Sequence, residues 1–288
     1  ILGKIIPHNL PTVGLEEAEA VKFAILNNIL SSGEIVKSFE ERLAQTLGID
    51  KNKVVAVHSG SSAIFLLLKL FYNPKSKIAI PSYSCSSLHQ AATLANLQIL
   101  LYDVQPNSVE FVFPDRNLYD AIIVPHLFGI PCNLDEVPKD VCIVDICQSF
   151  GAKLNGHYVG TSGRFSVCSF GATKPFTTGG SGGAVICRNM NDADMVRDYI
   201  DYDMKSNRSD GFNFQMGDIS AAIGKVQLER YFKFFIKSRE NIIKKYQNSG
   251  IKLLHPMCPK SKSVGYRAIV KFENSQHRDN LKSLMHQD

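Results

Sequence analysis

The chain has 288 residues, of which 44% are hydrophobic and 20% charged, so it can bury a large domain and a smaller one and has the balance of an ordinary globular enzyme. Its formal net charge of +5 comes from scattered basic residues. The densest group, Lys244, Lys245, Lys260 and Lys262, has no interleaved aromatics or glycines and argues against a nucleic-acid module. Seven cysteines, odd in number and without a C-x-x-C pair, argue against a disulfide framework or a zinc site and fit a reducing cytoplasm. Cys142, Cys147, Cys168 and Cys187 sit in or beside apolar runs, where a thiol acts as a small core residue. No apolar run has the length of a membrane span, Lys69 interrupting the best one, and Ile1-Leu2-Gly3-Lys4 lacks a leader pattern.

Residues 15–30 have helical spacing, with Glu16, Glu17 and Glu19 near the start, and 36–47 read as a second helix. Apolar, β-branched runs then follow at 54–57, 77–80, 98–102, 121–124, 141–144, 165–170 and 183–186, with helical stretches such as 63–72 and 87–97 between several of them. Seven apolar strands with helical crossovers predict an α/β/α sandwich around a mostly parallel seven-stranded sheet. Beyond Asn189 the pattern changes to helices at 193–201 and 218–231, a charged stretch at 237–248, one strand-like run at 265–272 and a helical 279–285. Residues 1–190 are therefore expected to form the large domain, and 191–288 interdomain helices with a small, shortened α+β domain.

Asp145 directly follows a buried-strand pattern, where a carboxylate is costly unless paired. Ser169 and Lys174 leave the next strand in Ser169-Phe170-Gly171-Ala172-Thr173-Lys174. A carboxylate, a serine and an amine at neighbouring strand exits suit pyridoxal 5'-phosphate: ring nitrogen, phosphate and Schiff base respectively. His58-Ser59-Gly60-Ser61-Ser62-Ala63 joins a strand to a helix start, where Ser61 and Ser62 can meet a phosphate or merely cap the helix. Asp145 could also cap the turn that follows it, and Gln148 could belong to that turn or reach the same ring's phenolic oxygen. In an open parallel sheet these positions fall together beyond the strands' carboxyl ends.

The chain resembles the DegT/DnrJ/StrS family of sugar aminotransferases, pyridoxal-phosphate enzymes of the aspartate-aminotransferase fold. The resemblance rests on Ser31-Ser32-Gly33-Glu34-Ile35-Val36, on Ser59-Gly60-Ser61-Ser62-Ala63, on Pro81-Ser82-Tyr83-Ser84 and on His126-Leu127-Phe128-Gly129. It continues through Asp145-Ile146-Cys147-Gln148, Ser169 to Lys174, and Gly211-Phe212-Asn213-Phe214-Gln215-Met216, with Gln227-Leu228 and Arg239 beyond. It implies that Lys174 forms the Schiff base, Asp145 pairs with the ring nitrogen, Gln148 lies near the phenolic oxygen, and Ser61, Ser62 and Ser169 hold the phosphate. Asn213 would reach the cofactor of a partner subunit, which implies a homodimer with composite sites. The implied substrates are a keto sugar on a nucleoside diphosphate and glutamate as amino donor.

The sequence departs from that pattern in three places. Cys85 stands where many members stack an aromatic residue on the cofactor. Residues 177–183 lose an acidic residue and gain one position, and the sequence ends at Asp288, where the resemblance implies that most of a small domain follows. His126 carries little functional weight, because a histidine leaving a buried strand is commonly a hydrogen-bonded structural residue. Deoxygenation of the sugar is disfavoured, since the family's dehydratases replace the lysine with histidine. A different reading is a shortened, non-catalytic homologue with a regulatory or partner-binding role.

Overall fold

Odd and even residues of the apolar runs end in two separate cores, as a sheet covered on both faces requires. The computed structural model describes residues 9–106, 108–203, 210–254 and 260–285, so the reading of the first residues lies outside it. Val54, Ala56, Ile122, Val124, Cys142, Val144, Ala184 and Ile186 pack on one side of the sheet. Val55, Val57, Ala121, Ile123, Ile143, Val167, Val185 and Cys187 pack on the other.

The strands among the described residues are β1 (Val54–Val57), β2 (Lys77–Pro81), β3 (Gln98–Val104), β4 (Phe111–Val112), β5 (Ala121–Pro125), β6 (Cys142–Asp145), β7 (Lys153–Leu154), β8 (His157–Tyr158), β9 (Phe165–Ser169), β10 (Gly183–Cys187) and β11 (Ser261–Lys262). The helices are α1 (Leu15–Leu26), α2 (Glu34–Leu47), α3 (Gly60–Phe71), α4 (Ser86–Leu94), α5 (Met190–Ile200), α6 (Asp218–Arg230), α7 (Ile236–Asn248) and α8 (Ser275–Met285). None of the described helices is long and apolar enough to cross a membrane.

The main sheet has eight strands in the order β1-β10-β9-β6-β5-β2-β3-β4. From β3 to β9 the neighbours run parallel, whereas β10 is antiparallel to both β9 and β1, and β4 to β3. The sheet thus exceeds the expected seven strands by β4, a two-residue edge too short to show a period. The free edge of β1 is closed by side chains and loop backbone rather than by another strand. Arg197 Nη2 donates to Val54 O at 2.7 Å, Ala56 N–H donates to Glu40 Oε1 at 2.7 Å, and His58 N–H donates to Phe214 O at 2.8 Å. An edge whose polar groups are satisfied in this way cannot template pairing with another chain.

Helix ends fall where backbone chemistry stops them. α1 ends at Leu26 rather than 30, because Asn27 binds back to Phe23 O and Asn28 takes a left-handed φ of 57°. α2 lacks a side-chain cap of its own; Asp218, at the start of α6 and 1% exposed, accepts from Val36 N–H at 3.0 Å instead. Buried Glu17 of α1 accepts from both Gln227 (2.7 Å) and Arg230 (2.6 Å) of α6, tying the N-terminal helix down. A π-helical turn, Tyr231–Phe235, joins α6 to α7, and the buried Tyr231 hydroxyl donates to Phe150 O at 2.7 Å.

A second, three-stranded sheet orders as β11-β7-β8. Its hairpin turns on Asn155 (φ 51°) and Gly156 (φ 84°), both left-handed. The strand expected at 265–272 does not form. That run makes an isolated bridge, Val270 with Leu253, a bond from Leu254 N–H to Ile269 O at 2.8 Å and one from Arg267 N–H to Phe128 O at 3.2 Å, and without a ladder it stays irregular.

Candidate active site

β2, β5, β6 and β9 all deliver their carboxyl ends to one edge of the sheet, and α3 starts there too. Ser59 caps α3 by accepting from Ser62 N–H at 3.0 Å, so the helix begins at Gly60. Gly60 is required, because a Cβ would lie 2.7 Å from Ser169 Cβ; a Cβ at Gly183 would collide with the Ser59–Gly60 backbone. These two glycines let β9, β10 and the start of α3 close up around one point.

At that point lies a cavity of about 150 Å³ lined by Ser61, Cys85, Asp145, Gln148, Ser169 and Lys174. Asp145 is 8% exposed and accepts from Cys147 N–H at 2.9 Å, so it does bond the following turn while still facing the cavity. Gln148 Oε1 accepts from Phe128 N–H at 2.7 Å, which pins the left-handed Phe128 (φ 59°) and leaves the amide N–H groups for another partner. Lys174 is half-buried on a turn closed by its own N–H to Gly171 O at 3.0 Å. The altered loop behind it is fastened by the Thr177 hydroxyl on Phe170 O (3.1 Å) and the Thr178 hydroxyl on Ser181 O (2.7 Å).

Ser62 and Asn213 are not on the cavity wall. The Ser62 hydroxyl lies 2.8 Å from that of Ser59, its amide serves the helix cap, and so both polar groups turn toward Ser59. Asn213 is exposed, with its Oδ1 3.3 Å from Gln215 N and its Nδ2 3.4 Å from the Tyr202 hydroxyl.

Two of the wall residues outside the expected set carry only structural readings in the sequence. Cys147 is one, and its place in the Asp145-Ile146-Cys147-Gln148 run was the available signal. His126, 1% exposed, is the other. Its Nδ1 accepts from Cys132 N–H at 2.8 Å, and its buried Nε2 has no partner. Burial pushes its pKa down to about 3, so the ring is neutral and the proton sits on Nε2 as an unmatched donor.

An unmatched buried N–H, a paired carboxylate, a helix N-terminus flanked by serines and an amine, all on one small cavity, form a donor set that fits pyridoxal 5'-phosphate. Lys174 also lies on the wall of a second cavity, of about 420 Å³, together with Arg239, Tyr266 and Arg267.

The sequence profile described as the DegT/DnrJ/EryC1/StrS aminotransferase family matches residues 11–288. The chain belongs to that family. Enzymes of this family depend on pyridoxal 5'-phosphate, which agrees with the donor set at the strand ends. The GDP-perosamine synthase of Escherichia coli O157:H7 is 27% identical over 270 residues, covering 87% of this chain and 73% of that protein. A dTDP-4-dehydro-2,3,6-trideoxy-D-glucose 4-aminotransferase from Saccharopolyspora spinosa is 25% identical over 260 residues, covering 80% of this chain and 67% of the relative. Among solved structures, the aminotransferase TlmJ from Streptoalloteichus hindustanus shares the fold, with a TM-score of 0.88 at 24% identity over 99% of this chain and 83% of TlmJ.

Proposed function

We propose that this family member transfers an amino group from an amino acid, glutamate in the first instance, to a keto sugar carried on a nucleoside diphosphate. The observation that carries the reading is the meeting of Asp145, Gln148, Ser169 and Lys174 on one cavity, in the company of Ser61 and Cys85. The relatives' names, one a GDP-sugar synthase and one a dTDP-sugar 4-aminotransferase, support the substrate class. When bound, pyridoxal 5'-phosphate supplies a carbonyl for the amino group and a ring that spreads the charge developing on the substrate carbon.

The chain's own residues do the rest. The start of α3, with the Ser61 and Ser169 hydroxyls beside it, receives the phosphate at a positive helix end. Asp145 holds the proton on the ring nitrogen, and its burial makes that pairing strong. Gln148, through its free amide, and His126, through Nε2–H, are the donors available to the ring's oxygen. Lys174 Nζ would hold the cofactor and is the base that would take the proton from the substrate carbon bearing the amino group.

The site is completed by a second copy of the chain. α1 leaves Leu15, Phe23, Ile25 and Leu26 at least half exposed, beside a groove that runs to Ala172, Thr177 and Gly179 of the lysine loop. An apolar face of this kind, touching the loop that carries Lys174, suits a two-fold interface. Asn213, free of its own cavity, is the residue the resemblance assigns to the partner's phosphate.

The experiment is to load the protein with cofactor, record its visible absorbance, and add glutamate. The band should convert, and Lys174→Ala should abolish both the band and turnover with the thermal transition retained. A wild-type protein that binds no cofactor, or a Lys174→Ala variant that turns over normally, refutes the reading.

A further inference from the structure

The larger of the two cavities that share Lys174 is lined by Lys174, Arg239 and Arg267 and by no aspartate or glutamate. Among the described residues, neither guanidinium forms an ion pair with a carboxylate. Arg239 is held in place: its Nη2 donates to Pro175 O at 2.7 Å, next to Lys174, and its guanidinium lies 5.5 Å from the Tyr231 ring centre. Arg267 lies 4.7 Å from the centre of the Tyr266 ring and donates to Asn9 Oδ1 at 2.6 Å. Tyr266 in turn donates to Thr173 O at 2.8 Å, so both arginines are braced on the backbone of the lysine loop. Burial, together with the nearby Arg267 charge, holds Arg239 below its ordinary range, as expected for a cation kept from water and from a counter-ion.

Two guanidinium groups on one cavity, with no carboxylate on its wall to offset them, lack an anion. Desolvated positive charge is costly until a negative group enters, and a guanidinium meets a phosphate or carboxylate through paired, charge-assisted hydrogen bonds. The volume, about 420 Å³ against about 150 Å³ for the cavity at Asp145, leaves room for a substrate rather than a single ring.

We propose that this second cavity seats the anionic group of the substrate, a phosphate or a carboxylate, with Arg267 as the contacting residue and Arg239 as the fixed charge behind it. The proposal rests on the aminotransferase reading and adds the place where the substrate's charge is held. The shared chemistry has two sources, the diphosphate of a nucleotide-linked sugar and the carboxylates of the amino donor.

Calorimetric titration of the cofactor-loaded protein with sodium pyrophosphate and, separately, with glutarate distinguishes them without any turnover. Wild type should bind at least one anion with a dissociation constant of about 1 mM or tighter, and Arg267→Gln should weaken it about tenfold or more. Arg267→Lys, which keeps the charge, should weaken it only about threefold. A loss confined to pyrophosphate assigns the subsite to the sugar nucleotide, and one confined to glutarate assigns it to the amino donor. Binding to wild type should also fall steeply between about 50 and about 500 mM salt, a result that needs no variant to fold.

Failure of wild type to bind either anion, salt-insensitive binding, or equal binding by Arg267→Gln overturns the proposal. The visible absorbance separates the two levels. Its absence from loaded wild type refutes the functional reading, whereas its presence without anion binding refutes only the subsite.

Discussion

Glu40 offers a test of the packing that supports β1. Its carboxylate accepts from Ala56 N–H at 2.7 Å on the free edge of the sheet, and burial, opposed by that bond and by Arg197 and Lys37, raises its pKa from 4.5 to about 7. A carboxyl that holds its proton more tightly in the folded state than in the unfolded one favours folding at acidic pH. That contribution is complete below the unfolded value of 4.5, is lost as pH rises from there to about 7, and is constant above. At about 1.4 kcal/mol per pH unit, the full swing is about 3 kcal/mol, an upper bound because the side chain is not wholly buried. Glu40→Gln keeps an oxygen for Ala56 N–H and cannot ionise. Relative to wild type it should therefore be about equal in stability near pH 4 and more stable by about 1–3 kcal/mol near pH 8. For a chain of this size that is roughly 2–6 °C in the midpoint of thermal unfolding followed by circular dichroism. A difference between the two proteins that stays the same at both pH values would show that folding does not raise the Glu40 pKa.

Asp145→Asn should retain cofactor, judged by its visible absorbance, yet transaminate about a hundredfold more slowly or worse, because a neutral amide no longer holds the ring proton; single-turnover kinetics with glutamate measure this. Cys85→Ala should raise the cofactor dissociation constant only slightly, by about 1 kcal/mol or less, since a sulfur–aromatic contact is worth that much, and a larger loss in equilibrium dialysis would mean the thiol does more than touch the ring. Mixing Lys174→Ala with Asn213→Ala protomers under subunit exchange should restore part of the activity that each lacks alone, because one of the two hybrid sites is intact if the dimer shares its sites. Exchange without recovery would place Asn213 outside the partner's site.

The features readable in the sequence are those with a local period or a local rule. Apolar runs gave seven of the eight strands of the main sheet, and the rule that parallel sheets bind beyond their carboxyl ends brought Asp145 and Ser169 together. The hairpin at Asn155-Gly156 was not read from the sequence: the dipeptide is a turn signal, but its flanking strands are two residues each and show no alternation. Periodicity identified α1 as a helix but could not say what covers it: the residues it buries are Glu17 and Ala24, while Phe23 and Ile25 face outward. The cavity beside Lys174 has no local signature at all, because Lys174, Arg239 and Arg267 are brought together by the path of α7 and the segment after β11.

The serines at α3 show where local chemistry stops short of a function. The sequence Ser59-Gly60-Ser61-Ser62 presents three hydroxyls to a helix start, and propensity ranks any of them as a cap. The choice is made by packing. Ser169 leaves no room for a Cβ at position 60, and Gly183 lets β10 come against the Ser59–Gly60 backbone, so the helix starts at the glycine and Ser59, in extended conformation, becomes the cap. Capping then consumes the Ser62 amide and draws its hydroxyl to Ser59, while Ser61, one position earlier, is left on the cavity wall. A tight contact between two strands and a turn thus decides which serine lines the cavity.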